Sequence, residues 1–189
     1  MTDAFALLNQ PRRPWVEVGT LKEKFLARSA ETHPDKFTDA AEKEAAQEAF
    51  AELNTAYEIL RDPKRRLQHL LTLERGEKPA EVHDILPETA DLFVEVGQLL
   101  QPVDAFLAER EAESSPLLRA QKMPAALDWL EKVNSLLQTL NDRLAALETE
   151  LQSLNENWDC DALESLYHQF SYLQKWRGQL NDRAVKLTL

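Results

Sequence analysis

The amino-acid sequence predicts an all-α protein, and two observations carry that prediction. Leucine occurs 32 times against 8 valines and 2 isoleucines; leucine loses little rotamer freedom in a helix, whereas β-branched residues favour strands. Apolar residues also recur at intervals of three and four along most of the chain, the spacing that gathers them on one helical face. The 189 residues suffice for one large domain or two small ones, since domains run to roughly 100 to 200 residues. No apolar stretch approaches the roughly 20 residues needed to span a bilayer.

Phe5-Ala6-Leu7-Leu8 is followed by Pro11 and Pro14, so the first helix is short. Thr20 is the expected N-cap of a second helix, in which Leu21, Phe25 and Ser29 fall four apart on one face. Lys22, Lys24 and Arg28 then lie largely away from that face. The helix must end near Thr32, because the residue before Pro34 is pushed out of the α region. A loop, His33-Pro34-Asp35-Lys36-Phe37, leads to a long third helix whose start resembles a capping pair, Asp39 and Glu42. Ala46, Phe50, Leu53, Ala56, Tyr57 and Leu60 supply its apolar stripe. Asp62-Pro63 stops it, and a fourth helix begins around Arg65.

Residues 76–86, with Gly76, Pro79 and few periodic apolar positions, read as a linker between a domain of residues 1–75 and one of residues 87–189. From Pro87 onward, Leu92, Val96, Leu99, Val103 and Phe106 form one stripe, and Phe93, Leu100 and Leu107 a second. Pro102 lies inside this pattern and predicts a kink or a break. Ser114, Ser115, Pro116 and Pro124 interrupt the chain before a heptad seam of Leu130, Val133, Leu137, Leu140, Leu144, Leu147, Leu151 and Leu154. A helix from Ala125 to Asn155 would be about 46 Å long. Asn157-Trp158-Asp159 turns the chain into a last helix bearing Leu163, Leu166, Phe170, Leu173, Leu180, Ala184 and Leu187. Three antiparallel helices packed at small angles account for all these stripes.

Composition excludes several kinds of chemistry. Cys160 is the single cysteine, so neither an intrachain disulfide nor a cysteine-rich zinc site can form. Gly19, Gly76, Gly97 and Gly178 are too scattered for a dinucleotide fingerprint or a phosphate loop. No Ser/His/Asp or Cys/His constellation is evident, and Asp159, Cys160, Asp161 and His168 lack a regular metal-ligand spacing. The expectation is a protein that is not an enzyme and carries no metal or cofactor. Met1 to Phe5 show no basic segment followed by an apolar one, so a cytoplasmic location is expected. The net charge of -11 is uneven: residues 1–75 hold 12 Lys+Arg against 13 Asp+Glu, and residues 76–189 hold 10 against 20. An acidic half disfavours nucleic acid, whose phosphates need clustered cations, and suits a protein partner with basic patches.

A basic-faced helix, a loop containing His33-Pro34-Asp35, and a longer antiparallel helix bearing Phe50, Leu53, Ala56, Tyr57 and Leu60 resemble a J-domain. J-domains are the modules that activate DnaK-type ATPase chaperones, and the resemblance extends from Asp3 to about Leu73. It implies that His33, Pro34 and Asp35 touch the chaperone, with Lys22, Lys24, Arg28 and Lys36 steering toward an acidic partner surface. Physics supports the loop's part in this: Pro34 fixes φ, Asp35 offers a carboxylate and His33 a compact ring, giving a preorganised contact at the tip of two packed helices.

The pairing of the two halves is similar to the HscB-type iron-sulfur co-chaperones, which join a short J-domain to an acidic three-helix bundle. Phe5, Leu7, Pro11, the Leu21 and Phe25 pair, His33 to Phe37, and Asn157-Trp158-Asp159 followed by Tyr172-Leu173-Gln174-Lys175-Trp176 carry this resemblance. It implies a DnaK or HscA-type chaperone as partner and the iron-sulfur scaffold protein IscU as client, bound through Phe93, Val94 and Tyr172. The family's next apolar position falls on Gly97, and Gln98-Leu99-Leu100-Gln101 stands where the family has an acidic stretch. From spacing alone, Phe93, Val94 and Tyr172 are either an outward client patch or bundle core. Two other functions stay open: a J-domain adaptor for a different client, and a helical scaffold whose leucine seam drives self-association.

Overall fold

The structure is a computed structural model and describes residues 2–80 and 87–189, the side chain of Glu88 excepted. The described residues form helices and no strands, as the leucine-rich composition predicts. The chain divides into two compact units, one of Met1–Glu81 with Glu148–Tyr167, the other of Val82–Leu147 with His168–Leu189. Of the expected linker, residues 81–86 lie outside the described residues.

In the first unit, α1 (Ala4–Leu7) is capped by Asp3, whose carboxylate accepts from the Phe5 N–H at 2.9 Å and the Ala6 N–H at 3.3 Å. Beyond it Asn9 adopts φ 48°, a left-handed conformation that asparagine tolerates better than most residues. α2 (Val18–Thr32) does not start where expected. Its N-cap is Glu17 instead of Thr20: the Glu17 carboxylate accepts from the Gly19 N–H at 2.8 Å and from the Thr20 N–H. A Cβ at Gly19 would stand 2.9 Å from that carboxylate, so the glycine makes room for a cap longer than usual.

α2 ends at Thr32, and a 3-10 turn, Pro34–Lys36, leads to α3 (Ala40–Arg61). Asp39 caps α3 by accepting from the Ala41 and Glu42 N–H groups, as the capping pair predicts. Asp62 then ends α3 and caps α4 (Pro63–Arg75), with Pro63 at its first position and Gly76 closing it at φ 80°. α1, α2, α4 and the 3-10 turn all pack against α3. Phe5, Leu8, Leu21, Leu53, Ala56, Leu60, Leu67, Leu70 and Leu71 are buried.

Two polar side chains of α4 lie within that core. The His69 Nε2 accepts the Ala4 N–H at 3.0 Å, and its ring stacks on Phe5 with centroids 5.9 Å apart. Burial holds the His69 pKa below its ordinary value. Arg66, buried like its neighbours, donates from Nε to the Pro14 carbonyl and from Nη1 to the Leu60 carbonyl, both at 2.7 Å. Burial lowers its pKa, and Glu148, 3.8 Å away, opposes that shift. Residues 148–167 complete the unit through the Trp15 N–H on the Asn155 Oδ1, the Arg13–Glu156 ion pair, and Arg75 between Asp161 and Glu164.

The second unit holds α5 (Pro87–Ala112), α6 (Pro116–Gln121), α7 (Met123–Ser153) up to Leu147, and α8 (Cys160–Thr188) from His168. Pro102 does not break α5. It removes one backbone donor, while buried Val96 and Val103 hold the helix on either side. In α7 the buried positions are Ala126, Val133, Leu136, Leu140, Leu144 and Leu147, so Leu136 takes the place expected of the half-buried Leu137. A straight helix drifts relative to a strict heptad, which moves the seam by one residue. From α8, Phe170, Leu173, Trp176, Leu180 and Leu187 are buried. The pairs Phe93–Trp176, Asp104–Arg183 and Arg110–Leu187 advance together along α5 and α8, so these two helices run parallel.

Candidate functional site

The His33-Pro34-Asp35 loop is built by three local effects. Pro34 forces His33 into an extended backbone, φ -65° and ψ 128°, which ends α2. The His33 carbonyl then accepts the Lys36 N–H at 3.0 Å, closing the 3-10 turn. The His33 Nδ1 accepts the Asp35 N–H at 3.3 Å and lies 3.6 Å from Oδ2 of the same residue. From α3, Phe50 meets the imidazole edge-on, with ring centroids 5.5 Å apart. The side chains of His33 and Asp35 are nevertheless 47% and 81% exposed. The ring is thus fixed from within the protein and open from outside, the condition for a preorganised contact. Phe50 was legible only as a member of the apolar stripe.

Among the cations, Lys22, Arg28 and Lys36 are exposed. Lys24 differs from expectation: it is half-buried, and its Nζ donates to the Asn9 carbonyl at 2.7 Å. This lysine ties the segment just after α1 to α2 while keeping its charge.

In the second unit, Phe93 and Val94 of α5 are exposed, while Tyr172 of α8 is half-buried. Both aromatic rings rest against Trp176, which is itself buried. The Phe93 and Trp176 centroids are 6.1 Å apart at 44°, and Tyr172 stacks on Trp176 at 5.7 Å and 26°. The arrangement is an aromatic anchor with an apolar surface above it, neither pure core nor pure surface. Trp176 is the residue that sequence reasoning passed over, although its spacing of four from Tyr172 puts both on one face. One turn beyond Phe93, Gly97 is exposed and nothing lies within 4 Å of where its Cβ would stand.

Among the described residues no helix is long and apolar enough to cross a membrane, and no group of three His, Cys, Asp or Glu residues could hold a metal ion. Residues 3–69 match the DnaJ domain family. With the loop held between α2 and α3, residues 3–69 have the architecture of a DnaJ domain. The likeness extends over the whole chain to the HscB co-chaperones. A co-chaperone protein HscB homolog of Paraburkholderia phymatum is 27% identical over 187 residues, covering 97% of this chain and 94% of that one. The fold is shared with the human co-chaperone HscB, at a TM-score of 0.67 and 18% identity over 96% of this chain and 81% of the other. It is shared also with the chaperone HscB from Vibrio cholerae, at a TM-score of 0.61 and 21% identity over 98% and 99%. Along nearly its whole length the chain is thus similar to HscB co-chaperones, with a DnaJ domain match over residues 3–69.

Proposed function

We propose that this protein stimulates ATP hydrolysis by a DnaK or HscA-type chaperone through His33, Pro34 and Asp35, and delivers to it the iron-sulfur scaffold protein IscU. In this reading residues 1–75 act on the chaperone, residues 76–86 link, and residues 87–189 hold the client on Phe93, Val94 and Tyr172. Catalysis belongs to the chaperone; this chain supplies contacts alone, with no metal or cofactor, in the cytoplasm.

The observation that carries the proposal is the loop: an exposed His33 and Asp35 fixed by Pro34 from one side and by Phe50 from the other. Lys22, Arg28 and Lys36 lie beside it in sequence, exposed and suited to an acidic partner surface. The half-exposed aromatic patch supports the second activity, since binding hot spots are enriched in Trp and Tyr. A client other than IscU is favoured by one feature, Gly97 with Gln98 to Gln101 in place of an apolar residue and an acidic stretch.

Steady-state ATPase assays test the chaperone role. His33→Gln should abolish stimulation while helicity and melting stay nearly unchanged, because an exposed loop residue contributes little to stability. Stimulation equal to that of the unaltered protein would refute it. Pulldown of IscU by the full chain, with and without Tyr172→Ala, tests the client.

A further inference from the structure

Among the described residues, α1, α3 and α8 each begin after an aspartate that accepts the N–H two residues further on. The Oδ1 atoms of Asp3, Asp39 and Asp159 accept from Phe5, Ala41 and Asp161, each at 2.9 Å. At the start of the 3-10 turn Pro34–Lys36 a histidine holds the same place, and its Nδ1 accepts the Asp35 N–H at 3.3 Å. Nδ1 of histidine is two bonds from Cβ, as is Oδ1 of Asp or Asn. His33 is therefore an N-cap with a ring nitrogen in place of the usual oxygen.

Two consequences follow from that bond. A ring nitrogen that accepts carries no proton, so the neutral imidazole holds its proton on Nε2. The backbone of Asp35 is also fixed. Pro34 has no N–H, the Lys36 and Phe37 N–H groups go to the carbonyls of His33 and Pro34, and Asp35 gives its own to the imidazole. The Asp35 carboxylate gains no ion pair from an unprotonated Nδ1. Its Oδ2 is 3.6 Å from that atom, beyond hydrogen-bond reach, and it remains open to a partner.

We infer that His33 is a positioning residue: it acts on the chaperone through Asp35, whose backbone it holds with Nδ1, and not through a contact of its own Nε2–H. The inference rests on the proposed function and specifies how the loop performs it. Side-chain length makes it testable. Glu17 shows that a longer acceptor can cap, but only with a glycine two residues on, where a Cβ would stand 2.9 Å from its Oε1. Two residues after His33 comes Asp35, which has a Cβ, so a glutamine at 33 has no such room to curl back. An asparagine has its Oδ1 where Asp3, Asp39 and Asp159 have theirs. Conversely, the amide nitrogen of glutamine reaches the distance of Nε2 from Cβ, and that of asparagine does not. The two amides thus separate the two ring nitrogens.

Steady-state ATPase assays of an HscA-type chaperone with the full chain decide between them. His33→Asn should keep about half or more of the stimulation, because asparagine is among the best N-caps, while His33→Gln and His33→Ala should both lose it. Asp35→Asn should lose it too, since the carboxylate is the group presented. A long-range ¹H–¹⁵N spectrum of the full chain at about pH 8, above the usual histidine range, should show the His33 proton on Nε2. Stimulation by His33→Gln that exceeds that of His33→Asn, stimulation by His33→Asn no better than that of His33→Ala, or a ring proton on Nδ1 would overturn the inference. The proposed function would survive those results as long as Asp35→Asn is inactive. Full stimulation by both Asp35→Asn and His33→Gln would overturn the function, and this inference with it.

Discussion

Replacing Phe93 by alanine measures how far the aromatic patch serves binding and how far it serves stability. Phe93 keeps 47% of its surface exposed, so about half of its apolar area is withdrawn from water. Full burial of such a side chain contributes about 1.5 to 3 kcal/mol, so half-burial contributes about 1 to 1.5. Its tilted contact with Trp176 at 6.1 Å adds about 0.5 kcal/mol. The expected loss is about 1 to 2 kcal/mol in all. Trp176, 5% exposed, should cost about 3 to 5 kcal/mol when cut to alanine, through lost burial and a cavity. Urea unfolding of the full chain followed by circular dichroism gives both losses, and a scaffold-binding titration on the same samples gives affinity. Phe93→Ala should stay folded in dilute buffer yet bind its client about tenfold more weakly. A stability loss above about 3 kcal/mol with undiminished binding by the folded fraction would show that Phe93 is core and sink the client assignment.

Gly97→Leu should be accepted, since its Cβ meets nothing within 4 Å. It should stabilise α5 by about 1 kcal/mol relative to glycine and, by enlarging the apolar patch, tighten client binding in the same titration. Lys22→Glu should slow association with the chaperone and reduce its salt dependence in stopped-flow traces. Lys24→Ala should change that rate less but lower stability by about 1 kcal/mol, because it frees the Asn9 carbonyl. Stability should also fall below pH 6.5. Burial depresses the pKa of folded His69, Arg12 adds to the shift and Asp3 opposes it, so the unfolded chain takes up the proton first. The His69 contribution is therefore complete above about pH 6.5 and is lost as pH falls through the folded pKa. Urea midpoints at pH 7.5 and 5.5 measure the slope, which His69→Phe should flatten.

Much of the architecture was legible because it depends on neighbours in the chain. Asp39, Asp62 and Asp159 cap helices through N–H groups two or three residues away. Pro34 sets the conformation of His33 directly. Where a local rule failed, a longer side chain or a distant group had intervened. Glu17 outcompeted Thr20 because Gly19 left room for its carboxylate. Lys24 was tied to a carbonyl fifteen residues upstream.

The candidate patch was legible in its members and not in its state. Spacing allowed Phe93 and Tyr172 to be either core or surface, and the structure makes them a layer over Trp176. Periodicity reports which residues share a helical face. It does not report how much of that face a neighbour covers.

The sequence by itself thus determined the all-α class, the ends of most helices and the His33-Pro34-Asp35 loop, all products of short-range sterics and hydrogen bonding. Only the tertiary structure decided that Phe50 braces His33, that Leu136 enters the core, and that Arg66 and His69 lie buried with backbone partners. It also decided that residues 148–167 join the same compact unit as the first 81. Those outcomes depend on contacts between segments tens of residues apart, where burial and charge pairing are settled by the packing of whole helices and leave no periodic mark on the chain.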